Sequence, residues 1–215
     1  NNFDTTGVMV RSTSLTLLSG GAFVIDTITV NALATSYPAT YGVEVMSSFV
    51  TLRGRSLFVV KDSTLTTTTS AILSTASSVG IDFSATTVDI QQSSLLSLES
   101  NTITSTGQAA YGTAFRTSGT VTIGSGSQVN LMSNELTTAN TPTAGLLIDG
   151  VTFMLFQKSV FSFSQNTIPG DQVAAAFSTS DDAFILDSTS TFAVGCDVVD
   201  GSTLTSYDNS SFVNL

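Results

Sequence analysis

The feature that most limits what this chain can become is a repeat. Starting from Gly7, Gly42, Gly80, Gly112 and Gly145, with Ala174 in the sixth place, the sequence follows G-x-x-Φ-x4-Φ-x-Φ-x5-Φ-x-Φ-x4-Φ, where Φ is Val, Ile, Leu or Phe. The first Φ column is Val10, Val45, Phe83, Phe115, Ile148 and Phe177, and the fourth is Phe23, Phe58, Leu96, Val129, Phe161 and Phe192. The register holds once one extra residue is allowed after Phe115 and two after Phe177. Φ-x-Φ pairs point side chains alternately to two faces, which is strand periodicity and excludes an amphipathic helix. Strands this short bury too little surface alone, so repeats of about 30–38 residues must stack and share one core.

The expected fold is therefore all-β: one parallel β-helix solenoid over 1–215, with six full coils and a partial coil at each end. The crossover preference of parallel strands makes right-handed coiling the default. The regularity breaks at roughly 31–41, 66–79, 104–111, 137–144 and 169–173, and these segments read as variable loops. All three prolines (Pro38, Pro142 and Pro169) fall there, with Tyr37, Tyr41 and Tyr111. Proline cannot donate to a ladder, so its confinement supports the register independently. Insertions on one face of a solenoid are either tolerated length variation or a face for a glycan or host-surface ligand.

Composition removes several function classes. Ser and Thr account for 68 of 215 residues, charged residues for only 10%, and the net charge is −10. Six Lys and Arg in all, without a cluster, cannot neutralise a phosphate backbone, so nucleic acid and anionic membrane are improbable partners. No apolar run approaches the roughly 18 residues of a spanning segment. A single cysteine, Cys196, excludes an internal disulfide and reads as a small apolar residue. Asn209-Ser210-Ser211 is the sole glycosylation sequon and a candidate for extracellular modification at Asn209.

Both ends match the inside of a coil. Asn1-Asn2-Phe3 parallels Asn101-Thr102-Ile103, and Ser210-Ser211-Phe212-Val213-Asn214-Leu215 parallels Ser47-Ser48-Phe49-Val50-Thr51-Leu52. The expectation is a segment that continues into further coils or stacks end to end with other copies through both ends.

Chemistry-bearing residues are few. Asn101, Asn134 and Asn166 stand two residues before the sixth column, flanked by Ser63 and Asp197, and predict an amide ladder along the axis. Asp26, Lys61 and Glu99 follow the fifth column and should stack outward with alternating sign. Glu44 and Asp82 share one offset in neighbouring repeats and are the candidate metal ligands, since hard oxygen donors suit calcium. The simpler reading makes them two solvated carboxylates splayed apart. Asp181, Asp182 and Asp187 form the densest acidic cluster, and paired carboxylates can serve glycoside cleavage. Yet the chain holds no histidine, and no Lys or Arg follows Lys158; the arginines Arg11, Arg53, Arg55 and Arg116 are scattered. No catalytic residue and no cofactor site is expected. Outward Ala22, Val24, Leu57, Val59 and Leu95 form an apolar strip, either covered by the segment 66–79 or used in lateral contact. Outward Thr16, Thr51 and Thr122 make a threonine row that Asp89 and Met154 interrupt, unlike an ice-binding face.

The coils with Leu98-Glu99-Ser100-Asn101, Leu131-Met132-Ser133-Asn134 and Phe163-Ser164-Gln165-Asn166 resemble the dispersed-gene-family surface proteins of trypanosomes. Phe163-Ser164-Gln165-Asn166 and Gly20-Gly21-Ala22-Phe23 are also similar to the F-x-x-N and G-G-A-x motifs of chlamydial polymorphic outer-membrane adhesins. What the resemblance implies is an extracellular or cell-surface solenoid, and no functional residue carries over. The expected function is a non-enzymatic rod, filament or adhesin segment. The alternative is a carbohydrate-binding or carbohydrate-cleaving β-helix such as a polysaccharide lyase or tail-fibre-like protein.

Overall fold

A computed structural model describes residues 5–35, 39–70, 77–107, 109–139, 143–150, 152–168, 173–179, 184–195 and 198–199. The first repeat forms β1 (Thr5–Leu17), β2 (Ala22–Asp26) and β3 (Thr29–Ala34). The second forms β4 (Ala39–Leu52), β5 (Leu57–Lys61) and β6 (Thr64–Thr69), and the third β7 (Ser77–Ile90), β8 (Leu95–Glu99) and β9 (Thr102–Thr106). Next come β10 (Ala109–Ile123), β11 (Gln128–Met132) and β12 (Glu135–Ala139). The next described strands are β13 (Thr143–Gly150), β14 (Thr152–Leu155), β15 (Val160–Ser164) and β16 (Thr167–Ile168). The last described set is β17 (Val173–Thr179), β18 (Phe184–Leu186), β19 (Thr191–Gly195) and β20 (Val198–Val199).

Each strand pairs in parallel with its counterpart one repeat away. The first sheet runs β1-β4-β7-β10-β13-β17 with β14 and β18 completing it, the second β2-β5-β8-β11-β15-β19, and the third β3-β6-β9-β12-β16-β20. The protein is a parallel β-solenoid. The register matches the Φ columns: Val10 pairs Val45, Val45 pairs Phe83 and Phe83 pairs Phe115. The extra residue after Phe115 is a bulge, where the β10 register shifts between Thr117 and Thr120.

Inside the three walls lies one continuous core that includes Val45, Leu52, Phe58, Leu65, Phe83 and Leu96. Phenylalanines stack along it. Phe23 and Phe58 lie 5.1 Å apart, Phe83 and Phe115 5.0 Å, and Phe161 and Phe192 5.0 Å, all near-parallel. Parallel in-register pairing puts like residues one strand spacing apart, about 4.8 Å, which is close to the distance at which rings stack well.

The repeat glycines have a steric cause. A Cβ on Gly80 would overlap Ile103 Cγ2 and lie 2.6 Å from the Gly112 carbonyl oxygen; one on Gly42 would lie 2.5 Å from the Gly80 oxygen. The sixth-column side chain packs directly on this backbone, so nothing larger than hydrogen fits.

The segments read as variable loops are a correction. In the first four the opening residues continue the third sheet, with Asn31 through Ala34 pairing Thr66 through Thr69, and the last residues already belong to the long first-sheet strands. The alternation does not stop at the sixth column. It passes to small and hydroxyl residues, Ala32 and Ala34 in one coil and Thr67 and Thr69 in the next, which are buried. Their hydroxyls are satisfied inside: Thr67 donates to Ser105 Oγ at 3.0 Å, Ser78 donates to Thr67 Oγ1 at 2.7 Å, and Ser105 donates to the Tyr111 carbonyl at 2.9 Å. Pro38, Pro142, Pro169 and Tyr37 lie outside the described residues.

Gly80→Ala should destabilise the fold by about 1–3 kcal/mol through forced displacement of Ile103, measured as a lowered denaturation midpoint. A neutral result would show that the glycine column is not sterically required.

Candidate functional site

Three kinds of polar feature run through this solenoid: axial ladders, a buried charge cluster and a side groove. The ladders are the most regular. Between the second and third sheets each coil turns on a residue with positive φ, Asp62, Ser100, Ser133 and Gln165, followed by Ser63, Asn101, Asn134 and Asn166. Ser63 N–H donates to Asn101 Oδ1, Asn101 N–H to Asn134 Oδ1, and Asn134 N–H to Asn166 Oδ1, at 3.0–3.1 Å. The amide nitrogens complete the network. Asn101 Nδ2 donates to Val60 O and Asn134 Oδ1, Asn134 Nδ2 to Leu98 O and Asn166 Oδ1, and Asn166 Nδ2 to Leu131 O. Each amide therefore caps the previous turn's peptide and ties it to the next coil. The expected Asn ladder is present; Asp197 lies outside the described residues.

A second ladder escaped the sequence reading. Ser56, Ser94, Ser127, Ser159 and Ser190 each stand two residues before the fourth column, and the first four are buried. Ser56 N–H donates to Ser94 Oγ and Ser94 N–H to Ser127 Oγ, while the Ser159 hydroxyl donates to Ile123 O. The signal was in the repeat, but in a third-serine-or-threonine composition a serine column does not stand out.

The acidic residues distribute by position. Lys61 sits between Asp26 and Glu99 in register, as expected, but it reaches Asp26 at 3.1 Å and Asp62 at 3.5 Å rather than Glu99. The Thr27 hydroxyl and the Lys61 ammonium hold the Asp26 carboxyl below its ordinary range. Asp187 accepts the N–H groups of Gln157 at 2.7 Å and Thr189 at 2.9 Å, which lowers its pKa below the ordinary carboxylate value. It is a turn cap. Asp181, Asp182, Cys196 and Asn209 lie outside the described residues. In the outward threonine row Asp89 stands between Thr51 and Thr122 and takes a two-nitrogen contact from Arg53, at 2.6 and 3.0 Å. Among the described residues no three His, Cys, Asp or Glu converge on a common metal position.

Glu44 and Asp82 overturn the solvated reading. They are in-register neighbours on β4 and β7, and they are 1% and 0% exposed. They point away from the main core, but a second apolar cluster of Ala39, Tyr41, Val79, Ala114, Ala144 and Leu147, with Tyr111 against it, builds up that face of the first sheet. The Thr6 hydroxyl donates to Glu44 Oε2 at 2.9 Å. Arg116, on β10, donates its Nε to Asp82 Oδ1 at 2.7 Å and lies over the Tyr41 ring at 5.2 Å. A guanidinium thus stands beside Asp82, on its Oδ1 oxygen. Burial pushes the Asp82 carboxyl up, and Arg116 offsets that only in part.

The third feature is a groove of about 760 Å³ along the bend of the first sheet, where the Φ spacing widens between the first and second columns. Arg11, Ser48, Thr86, Ser118 and Asp149 line it, with Arg116 at its inner wall. The β10 bulge forms one side, and the buried Thr117 hydroxyl there has no partner among the described residues. The apolar strip is a further correction. Val24 and Leu57 are 51% and 38% exposed, and β6, which opens the segment expected to cover them, is paired into the third sheet.

No family model, curated protein or solved structure matches this chain. Among the described residues no helix is long and apolar enough to cross a membrane.

Asn134→Ala should cost on the order of 3 kcal/mol, since it takes a partner from the buried Asn101 N–H and Leu98 carbonyl on one neighbouring coil and from Asn166 Oδ1 on the other. Ser56→Ala, which removes one hydroxyl, should cost about 1 kcal/mol. Equal losses in parallel denaturation curves would contradict a distributed Asn network. Arg116→Met should cost about 3–5 kcal/mol by leaving Asp82 without its counter-charge, and a change below about 1 kcal/mol would show that the ion pair is dispensable.

Proposed function

We propose that this chain is a non-enzymatic structural segment of an extracellular or cell-surface β-solenoid, working as a rod that spaces or displays other parts. The observation that carries this reading is the Asn ladder. Amide and backbone hydrogen bonds running from coil to coil resist axial opening, and their yield is stiffness along the solenoid rather than a reaction site. The hydroxyl-rich, charge-poor exterior fits exposure at a surface, as does the similarity of the Asn-containing coils to the trypanosome and chlamydial surface proteins. Partners are further coils or other copies of the same solenoid.

A second reading rests on the side groove. Its lining of hydroxyls with Arg11, Arg116 and Asp149 offers hydrogen-bond donors and acceptors to an extended glycan lying along the axis. In that case the rod is an adhesin that binds without cleaving.

Electron microscopy of native material decides the first reading: straight rods whose fibre diffraction shows a meridional spacing near 4.8 Å are expected, and compact particles would overturn it. For the second, titration with oligosaccharides should move amide NMR signals of Ser48, Thr86 and Ser118 together. Glycan cleavage products in the same tube would refute the non-enzymatic assignment.

A further inference from the structure

The outer face of the third sheet carries a pattern that no apolar column reveals. Strand alternation sends Leu65, Thr67 and Thr69 of β6 inward and Thr64, Thr66 and Thr68 outward. One coil on, β9 sends Thr102, Thr104 and Thr106 outward, and the two triplets pair residue for residue. These three columns extend to either side. Thr29, Asn31 and Leu33 precede them on β3, Glu135 and Thr137 follow on β12, and Thr167 follows Glu135 on β16. Threonine therefore fills nine of these twelve positions, six in the two central triplets and three more at Thr29, Thr137 and Thr167.

Parallel in-register pairing fixes the spacing of this array. Neighbours lie about 4.8 Å apart from strand to strand and about 6.6 Å apart along a strand, two residues on. Threonine is β-branched and has few χ1 positions open to it, so stacked copies present methyl and hydroxyl in a repeating order. The layer beneath is held firm. Thr67, between Thr66 and Thr68, donates to Ser105, between Thr104 and Thr106, at 3.0 Å, and Leu65 and Ile103 are buried in the core. Charge is nearly absent. Of the 22 charged residues in the sequence, 6 Lys and Arg with 16 Asp and Glu, only Glu135 stands in the array.

We propose that this face of the third sheet binds ice. Both spacings approach the repeats between oxygens on the prism faces of ordinary ice. Hydroxyls in the array take lattice positions, and the methyls between them restrict the orientations of the first water layer. The face is flat in charge, extended and regular, so in a chain of net charge −10 it selects an uncharged, regular surface as its partner. Neutral crystalline polysaccharide shares the regularity, but sugar rings pack best on aromatic side chains, and no outward residue of the array is aromatic. The threonine row of the first sheet differs, because Asp89 with its Arg53 partner and then Met154 interrupt it. The inference is independent of the rod reading.

The test measures thermal hysteresis and inhibition of ice recrystallisation for the wild-type chain, for Thr66→Tyr within the array, and for the control Thr51→Tyr on the first sheet. Wild type and control should hold the freezing point below the melting point and keep ice grains small. Thr66→Tyr, whose ring stands above the plane of the array, should lose most of both effects with an unchanged denaturation midpoint. If Thr66→Tyr does not fold, Thr66→Ser, which removes only a methyl, takes its place and should show reduced hysteresis. An inactive wild type would overturn the proposal, and so would equal activity in the Thr66 variant and Thr51→Tyr. Retention on microcrystalline cellulose that the Thr66 variant abolishes, without any effect on ice, would assign the face to a polysaccharide instead.

Discussion

Parallel, in-register stacking at one strand spacing is the constraint on which everything else in this protein depends. It makes the neighbour of each residue its counterpart one repeat away, so a choice made once is multiplied along the axis. An apolar column becomes a wall of the core, and phenylalanines that follow one another in a column stack at 5.0–5.1 Å. A glycine column becomes the place where a side chain lies on bare backbone, as Ile103 does at Gly80. A polar column must be able to bond with itself. Asn meets that requirement because one side chain both donates and accepts; an acidic column does not, which is why Asp82 needs Arg116.

That distinction separates the scaffold from the one strained feature in it. Where the columns are apolar or amide, each coil is satisfied by the next, and stability accumulates by repetition. At Glu44 and Asp82 the same geometry sets two acids side by side in a buried place, and Arg116 reaches back from β10 to Asp82. The groove beside it arises from the same stretch of strand, where the β10 bulge shifts the register against β7. Among the described residues, the shifts of register fall at this bend of the first sheet.

Much of the architecture was legible in the chain. Strand positions, the pairing of Val45 with Phe83, the Asn ladder and even the bulge after Phe115 follow from aligning the repeats, because periodicity reports directly on which side chains share a face. The pattern failed where hydrophobicity stopped marking the inside. Thr67 and Ser105 are inward residues of the third sheet whose hydroxyls bond to each other, and on composition alone they read as loop. Ser56 and Ser94 were hidden for the same reason.

The candidate site was less legible. That Glu44 and Asp82 would be neighbours followed from their shared offset, since register is a one-dimensional property that the repeat carries in its spacing. Their burial did not follow, because it depends on the outer apolar cluster around Tyr41, Val79 and Leu147, which forms on the face that the alternation rule assigns to solvent. Nor did the partner follow: Arg116 lies 34 residues from Asp82 and two positions off its column, so only the direction of a long side chain in three dimensions brings them together. The sequence by itself determined the stack and its register, because both repeat along the chain. Only the tertiary structure decided which charges are shielded and by what, because desolvation depends on everything that surrounds a group and not on its place in a repeat.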